Sequence, residues 1–129
     1  MVHIWILSQD ENPSILIFME FNEHKPIYLQ ISDTICDAIL TGEWKEEERI
    51  PSVREYGGIL GVNPNTIMRT YDHLQDAQII YNKRGVGYFV NSGAQEKIIS
   101  IQREQFIEEE VPKIKRRLEL LGLKANDIF

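Results

Sequence analysis

The chain has 129 residues, 43% of them hydrophobic, and suits one domain, or one small domain with an appendage, that buries its own core. No apolar run is long enough to cross a bilayer; residues 3–7 and 15–21 come nearest, and neither has the basic start and cleavage site of a secretory signal, so the cytoplasm is the natural compartment. The net charge of −6 argues against a polyanionic partner only as an average, because residues 49–93 carry a local +2, whereas residues 19–48 carry −6.

Residues 1–18 read poorly as part of a fold. A β-prone piece at 3–7 and another at 15–18 flank a polar turn at 8–14. The segment is either a short hairpin or a translated leader with the natural start at Met19, and the second reading is favoured. A coherent pattern then begins: Ile27, Ile31, Ile35 and Ile39 recur every four residues with Cys36 and Leu40 beside them, which predicts a helix with one apolar face, closed by Thr41-Gly42. Cys36, the single cysteine, fits this face as a small buried hydrophobe. Trp44, in the charged loop that follows, is expected to cover the end of the core.

Ser52 with Glu55 three residues on forms a capping-box pattern and opens a second helix that runs to about Leu60 and stops at Gly61. Asn63 caps a third helix with Pro64 at its first position; Ile67, Tyr71 and Leu74 give it a buried face. Two capped helices around a short Gly-containing turn define a helix-turn-helix. Residues 79–81 and 87–90 are β-prone and flank Asn82-Lys83-Arg84-Gly85-Val86, which predicts a hairpin with a basic tip. Beyond Ser92-Gly93, residues 94–109 are helical, and Pro112 can begin a further helix to Leu121. Ile107, Val111, Ile114, Leu118 and Leu121 make a heptad seam, so this tail predicts a dimer interface. Pro112 falls inside the seam, and two helices meeting at an angle are therefore expected. The fold class is mainly α with a small β-hairpin. Its divisions are an extension at 1–18, a winged helix-turn-helix at 19–93 and a helical dimerisation segment at 94–129.

With Ile67, Tyr71 and Leu74 inward, Asn65 and Arg69 point outward, and Thr66 and His73 flank them. A helix N-terminus bearing small polar side chains and free N–H groups suits a major groove. Arg pairs bidentately with guanine and Asn with adenine, which makes Arg69, Asn65 and Asn63 candidate base readers. Each also has a bland reading: Asn63 as a plain cap, Arg69 as a solvated charge, Arg54 as half of an exposed pair with Glu55, Lys83 and Arg84 as hairpin-tip charges. Their arrangement on one side of one motif is what favours double-stranded DNA. His3, His24 and His73 are scattered without metal-ligand spacing, and no nucleophile–base grouping or phosphate loop occurs, so no enzyme, metal or cofactor is expected. The rival reading is a winged-helix protein-interaction module without specific DNA binding.

The strings Ile50-Pro51-Ser52-Val53-Arg54-Glu55 and Leu60-Gly61-Val62-Asn63-Pro64-Asn65-Thr66, followed by Arg69-Thr70-Tyr71 and Leu74, resemble the GntR family of bacterial repressors. Lys83-Arg84-Gly85-Val86-Gly87-Tyr88-Phe89-Val90 is similar to the wing of that family, and Pro26-Ile27-Tyr28 with Gln30-Ile31 to its opening helix. The short tail resembles the small YtrA-type subfamily. The resemblance implies a homodimer on a palindromic operator, with the wing tip in the minor groove. Carried over by position, it implies DNA contacts at Ser52, Arg54, Asn63, Asn65, Thr66, Arg69, Lys83, Arg84, Gly85 and Gly87. A small-molecule effector could then act only at the dimer interface or between the domains. Three positions depart from the family pattern: Glu47 and Gln78 replace turn glycines, and Gly57-Gly58 sits inside the second helix, where each Gly costs roughly 1 kcal/mol.

Overall fold

The computed structural model describes residues 2–7, 16–21 and 25–129, which form two compact units, one ending at Gln95 and the other spanning Glu96–Phe129. In the first unit, β1 (Val2–Leu7) pairs antiparallel with β2 (Leu16–Phe21), Val2 opposite Phe21 and Leu7 opposite Leu16. The polar turn expected at 8–14 lies outside the described residues.

Three helices follow: α1 (Ile27–Leu40), α2 (Val53–Leu60) and α3 (Pro64–Asp76). The four-residue apolar repeat of α1 buries Ile31, Ile35 and Ile39 completely, together with Cys36. Ile27, in the first turn, is 41% exposed and does not join them. Ile67, Tyr71 and Leu74 of α3 are fully buried, as the spacing predicts, and Tyr56 and Leu60 come in from α2. Trp44 is half-buried and packs edge-on against Tyr56 with ring centroids 5.3 Å apart, closing the end of this core. Thr70 is the polar residue that the apolar pattern does not place. It is fully buried, and its hydroxyl bonds with the carbonyls of Tyr28 and Thr66, both at 3.0 Å.

The two departures from glycine keep the backbone that glycine would have taken. Glu47 has φ 67° and Gln78 has φ 60°, and both lie in the left-handed region. Glu47 is held there by its N–H to the Val90 carbonyl at 2.8 Å, and its carboxylate accepts from the Tyr81 hydroxyl at 3.3 Å. The Gln78 carbonyl accepts from the Asn91 side chain at 3.0 Å. Gly57 has a packing reason: a Cβ there would stand 2.9 Å from the Val62 carbonyl oxygen. Around Gly58 the space is open.

The hairpin consists of β3 (Ile80–Lys83) and β4 (Gly87–Val90). Tyr81 faces Phe89, and Lys83 faces Gly87. The first strand therefore reaches Lys83, two residues further than its β-prone run, and the turn narrows to Arg84-Gly85-Val86. Gly85 takes φ +79° at the third position of a Lys83–Val86 turn closed by Val86 N–H to the Lys83 carbonyl at 2.9 Å, where a positive φ favours glycine. Residues 47–50 run along β4, with Ile50 N–H to Tyr88 O at 2.9 Å, Val90 N–H to Glu48 O at 3.1 Å and a bridge between Arg49 and Phe89.

In the tail, α4 (Ala94–Gln105) leads through a π turn at Phe106–Glu110 into α5 (Val111–Leu120), and a short 3-10 turn follows at Ala125–Asp127. Two helices are present, as Pro112 predicts, and the chain stays helical between them. Gln105, Glu110 and Val111 all keep helical dihedrals, and Pro112 falls in the first turn of α5, after a π turn has taken up the irregularity. A proline lacks the N–H of the helical ladder and crowds the carbonyl one turn before it, and a π turn placed immediately ahead lets the chain stay helical past it.

Candidate nucleic-acid interface

The helix-turn-helix is fixed by caps that the sequence announces. The Ser52 hydroxyl accepts from the Glu55 N–H at 3.1 Å, and the Glu55 carboxylate accepts from the Ser52 N–H at 3.4 Å. This occupies Glu55 and leaves the adjacent Arg54 exposed, with no carboxylate partner among the described residues. Gly61 ends α2 at φ 66°, ψ 35°. The Asn63 side-chain oxygen accepts from the Asn65 N–H at 2.8 Å, so Asn63 acts as the cap of α3.

On α3, Asn65 and Arg69 are exposed and Thr66 is half-buried. Arg69 is not a loose surface charge. Its guanidinium lies 4.2 Å from the centroid of the Tyr28 ring on α1, and His73 meets the same ring edge-on at 6.0 Å. Thr70, one residue on from Arg69, bonds the Tyr28 carbonyl, so the first turn of α1 buttresses the outer flank of α3 twice over.

The opposite flank meets the wing. The Tyr88 hydroxyl lies 3.9 Å from the Met68 sulfur, and the Tyr88 ring packs edge-on against Tyr71 at 4.9 Å. The Tyr71 hydroxyl in turn donates to the Pro51 carbonyl at 2.7 Å. Partial burial, and then the Asp72 carboxylate, push the Tyr88 phenol above its ordinary pKa, which keeps its proton available for donation. Lys83, Arg84 and Gly85 are exposed at the wing tip, and Gly87 is half-buried. Gly87 has φ +139°, and a Cβ there would stand 2.9 Å from Nε of Arg49, whose guanidinium crosses the strand at that point.

The structure thus brings Ser52, Arg54, Asn63, Asn65, Thr66, Arg69, Lys83, Arg84, Gly85 and Gly87 together on the helix-turn-helix and its wing. Sequence reasoning misses three neighbours: Tyr28, Met68 and Arg49. Tyr28 reads as part of an opening helix and Arg49 as one charge in the positive stretch, but neither carries a local signal of its contact. Met68 follows the inward Ile67, draws no reading from the sequence, and is 43% exposed. No group of three or more His, Cys, Asp or Glu among the described residues could hold a metal ion. No helix of the described residues is long and apolar enough to cross a membrane.

A capped helix pair with its second helix exposed at the N-terminal turn, flanked by a two-stranded wing, defines a winged helix-turn-helix regulator. Residues 27–90 match the model of the bacterial regulatory proteins of the gntR family. The chain is 33% identical to the HTH-type transcriptional regulator YhcF of Bacillus subtilis, over 85% of this chain and 89% of that protein. It is 32% identical to the HTH-type transcriptional repressor YtrA of the same organism, over 78% and 72%. Among solved structures, a GntR-family regulator from Bacteroides thetaiotaomicron shares 53% identity and a TM-score of 0.67, over 80% of this chain and 89% of that one. The AraR DNA-binding domain in complex with operator ORR3 matches at 30% identity and TM-score 0.50, over 55% and 83%. The chain belongs to the GntR family and is a DNA-binding transcription regulator.

Proposed function

We propose that the chain is a cytoplasmic repressor without catalytic activity that grips a palindromic operator as a homodimer. Ser52, Arg54, Lys83 and Arg84 hold phosphates, Asn65, Thr66 and Arg69 enter the major groove, and the Gly85–Gly87 tip reaches the minor groove. Asn63 shapes the first turn of α3 as its cap. The observation that carries this reading is the exposed N-terminal turn of α3, with Asn65 outward, Arg69 held on Tyr28 and exposed cations to either side at Arg54 and Lys83. A locally positive face inside an acidic protein is what a phosphate backbone selects.

The dimer reading rests on the tail. Ile107, Val111, Ile114 and Leu121 are 64%, 39%, 43% and 59% exposed, a run of apolar side chains that water disfavours, while Leu118 is half-buried among them. A second copy would cover them by the same seam.

Fluorescence anisotropy with duplexes drawn from the host genome tests the DNA reading. Affinity should fall steeply with salt. Lys83→Ala should weaken all sequences nearly equally and lower the salt slope by about one, since one phosphate is no longer neutralised. Arg69→Ala should relax base preference instead. Absence of any shifted duplex at low salt overturns the reading and favours a protein-interaction module. A monomer in light scattering at micromolar concentration, unaffected by Leu118→Asp, overturns the dimer.

A further inference from the structure

The apolar thioether of Met68 sits where groove readers are usually polar. It lies on the outer surface of α3, one turn beyond Asn65, and is 43% exposed among side chains that are otherwise polar or charged. An isolated exposed methionine needs no explanation on an ordinary surface. This one is fixed in place. Tyr88 tethers its sulfur at 3.9 Å, Tyr71 supports Tyr88 at 4.9 Å, and the Tyr71 hydroxyl is anchored to the Pro51 carbonyl at 2.7 Å. On the other flank Tyr28 holds Arg69 at 4.2 Å. The α3 face therefore presents a cation on its α1 side, Asn65 in the middle and an apolar group in contact with the wing on its other side.

The chemistry of the groove supplies one match for such a group. Base edges in the major groove offer hydrogen-bond donors and acceptors, and the apolar group among them is the thymine 5-methyl. A thioether is soft and polarisable, packs well against a methyl and has no donor to leave unsatisfied. A polar base edge in the same place would lose water and gain no partner, a penalty that disfavours guanine, cytosine and adenine. We infer that Met68 is a specificity-determining residue that reads a thymine methyl in the operator. This inference rests on the DNA-binding reading above and deepens it.

The test separates the two. Duplexes are selected from a random-sequence pool with the wild-type protein, and each thymine of the selected site is replaced in turn by deoxyuridine, which removes the methyl and leaves pairing intact. Binding is measured by anisotropy for wild type, Met68→Ala and Met68→Gln, the last preserving side-chain length. At one thymine or more, wild type should lose about fourfold in affinity, the fold-change to which burial of one such group at ~0.8 kcal/mol corresponds. Both variants should bind thymine and uracil duplexes equally well. Wild type insensitive to every replacement, or equal losses in all three proteins, overturns the role of Met68 and leaves DNA binding standing. A pool from which wild type selects nothing overturns the DNA-binding reading and the inference together.

Discussion

Gly57 and Gly58 are neighbours in one helix, and the same substitution should act on them in opposite directions. In a helix interior Ala is more favourable than Gly by about 0.8–1 kcal/mol. At Gly58 a Cβ meets nothing within 4 Å, and the position is exposed, so Gly58→Ala should gain most of that amount. At Gly57 the Cβ would stand 2.9 Å from the Val62 carbonyl oxygen and 3.6 Å from Cα of Pro64. Val62 cannot simply withdraw, because its N–H donates to the Gly57 carbonyl at 2.9 Å and this bond closes the turn. Overpacking of this kind costs about 1–3 kcal/mol, enough to cancel the helix gain and reverse it. The two variants should therefore differ by about 1–3 kcal/mol, the overpacking cost itself. Urea unfolding followed by the fluorescence of Trp44, which packs on Tyr56 of α2, reads the difference as a shift in midpoint at constant slope. Gly57→Ala should also weaken operator binding, since the turn sets the direction of α3. Stabilisation of both variants by the same amount would refute the close-approach argument.

Gln78→Gly should raise stability by about 1 kcal/mol, because a left-handed non-glycine residue costs about 1–2 kcal/mol and the greater freedom of glycine in the unfolded chain offsets part of that relief; a lowered Tm would contradict it. Glu47→Gly should gain less, since it also removes the carboxylate that accepts from Tyr81. Burial, and then Asp33 and Asp37, push the Cys36 thiol from its ordinary 9.0 up to about 12, while burial and then Glu43 push Tyr56 to about 12. The unfolded chain releases these protons first, so stability should be intact below pH 9 and fall as the pH rises toward 12, a trend that denaturation at stepped pH would reveal. Tyr28→Leu should weaken operator binding by up to about fivefold, the worth of an exposed cation–π contact, and should do nothing further in an Arg69→Ala background; an equal loss in both would show that Tyr28 acts without Arg69.

The parts of the fold legible from sequence are those whose signals are local. The Ser52–Glu55 box, the Gly61 stop and the Asn63-Pro64 start each lie within a few residues and need no tertiary partner. The apolar spacing of α1 and α3 is equally readable, because a period records which face is buried. What escapes depends on distant parts of the chain meeting. Tyr28 reaches Arg69 across 41 positions, and Tyr88 reaches Met68 across 20. Thr70 resembles an exposed polar residue because its partner, the Tyr28 carbonyl, carries no side-chain signature. Pro112 gives a true signal of irregularity, but the form it takes, an over-wide turn just before the proline, has no local signature in the sequence.

That π turn has a consequence for phase. Its i→i+5 bonding spreads roughly one extra residue over a single turn, so azimuth slips between the helix before it and the helix after it. Ile107 lies inside the turn, and Val111, Ile114 and Leu118 lie beyond it, where the 3.5-residue cadence of a coiled coil resumes. Knobs-into-holes meshing cannot run through that slip unbroken. In the proposed homodimer the meshing would therefore begin at Val111, and its short length, more than its hydrophobicity, would limit how far a partner helix could follow it.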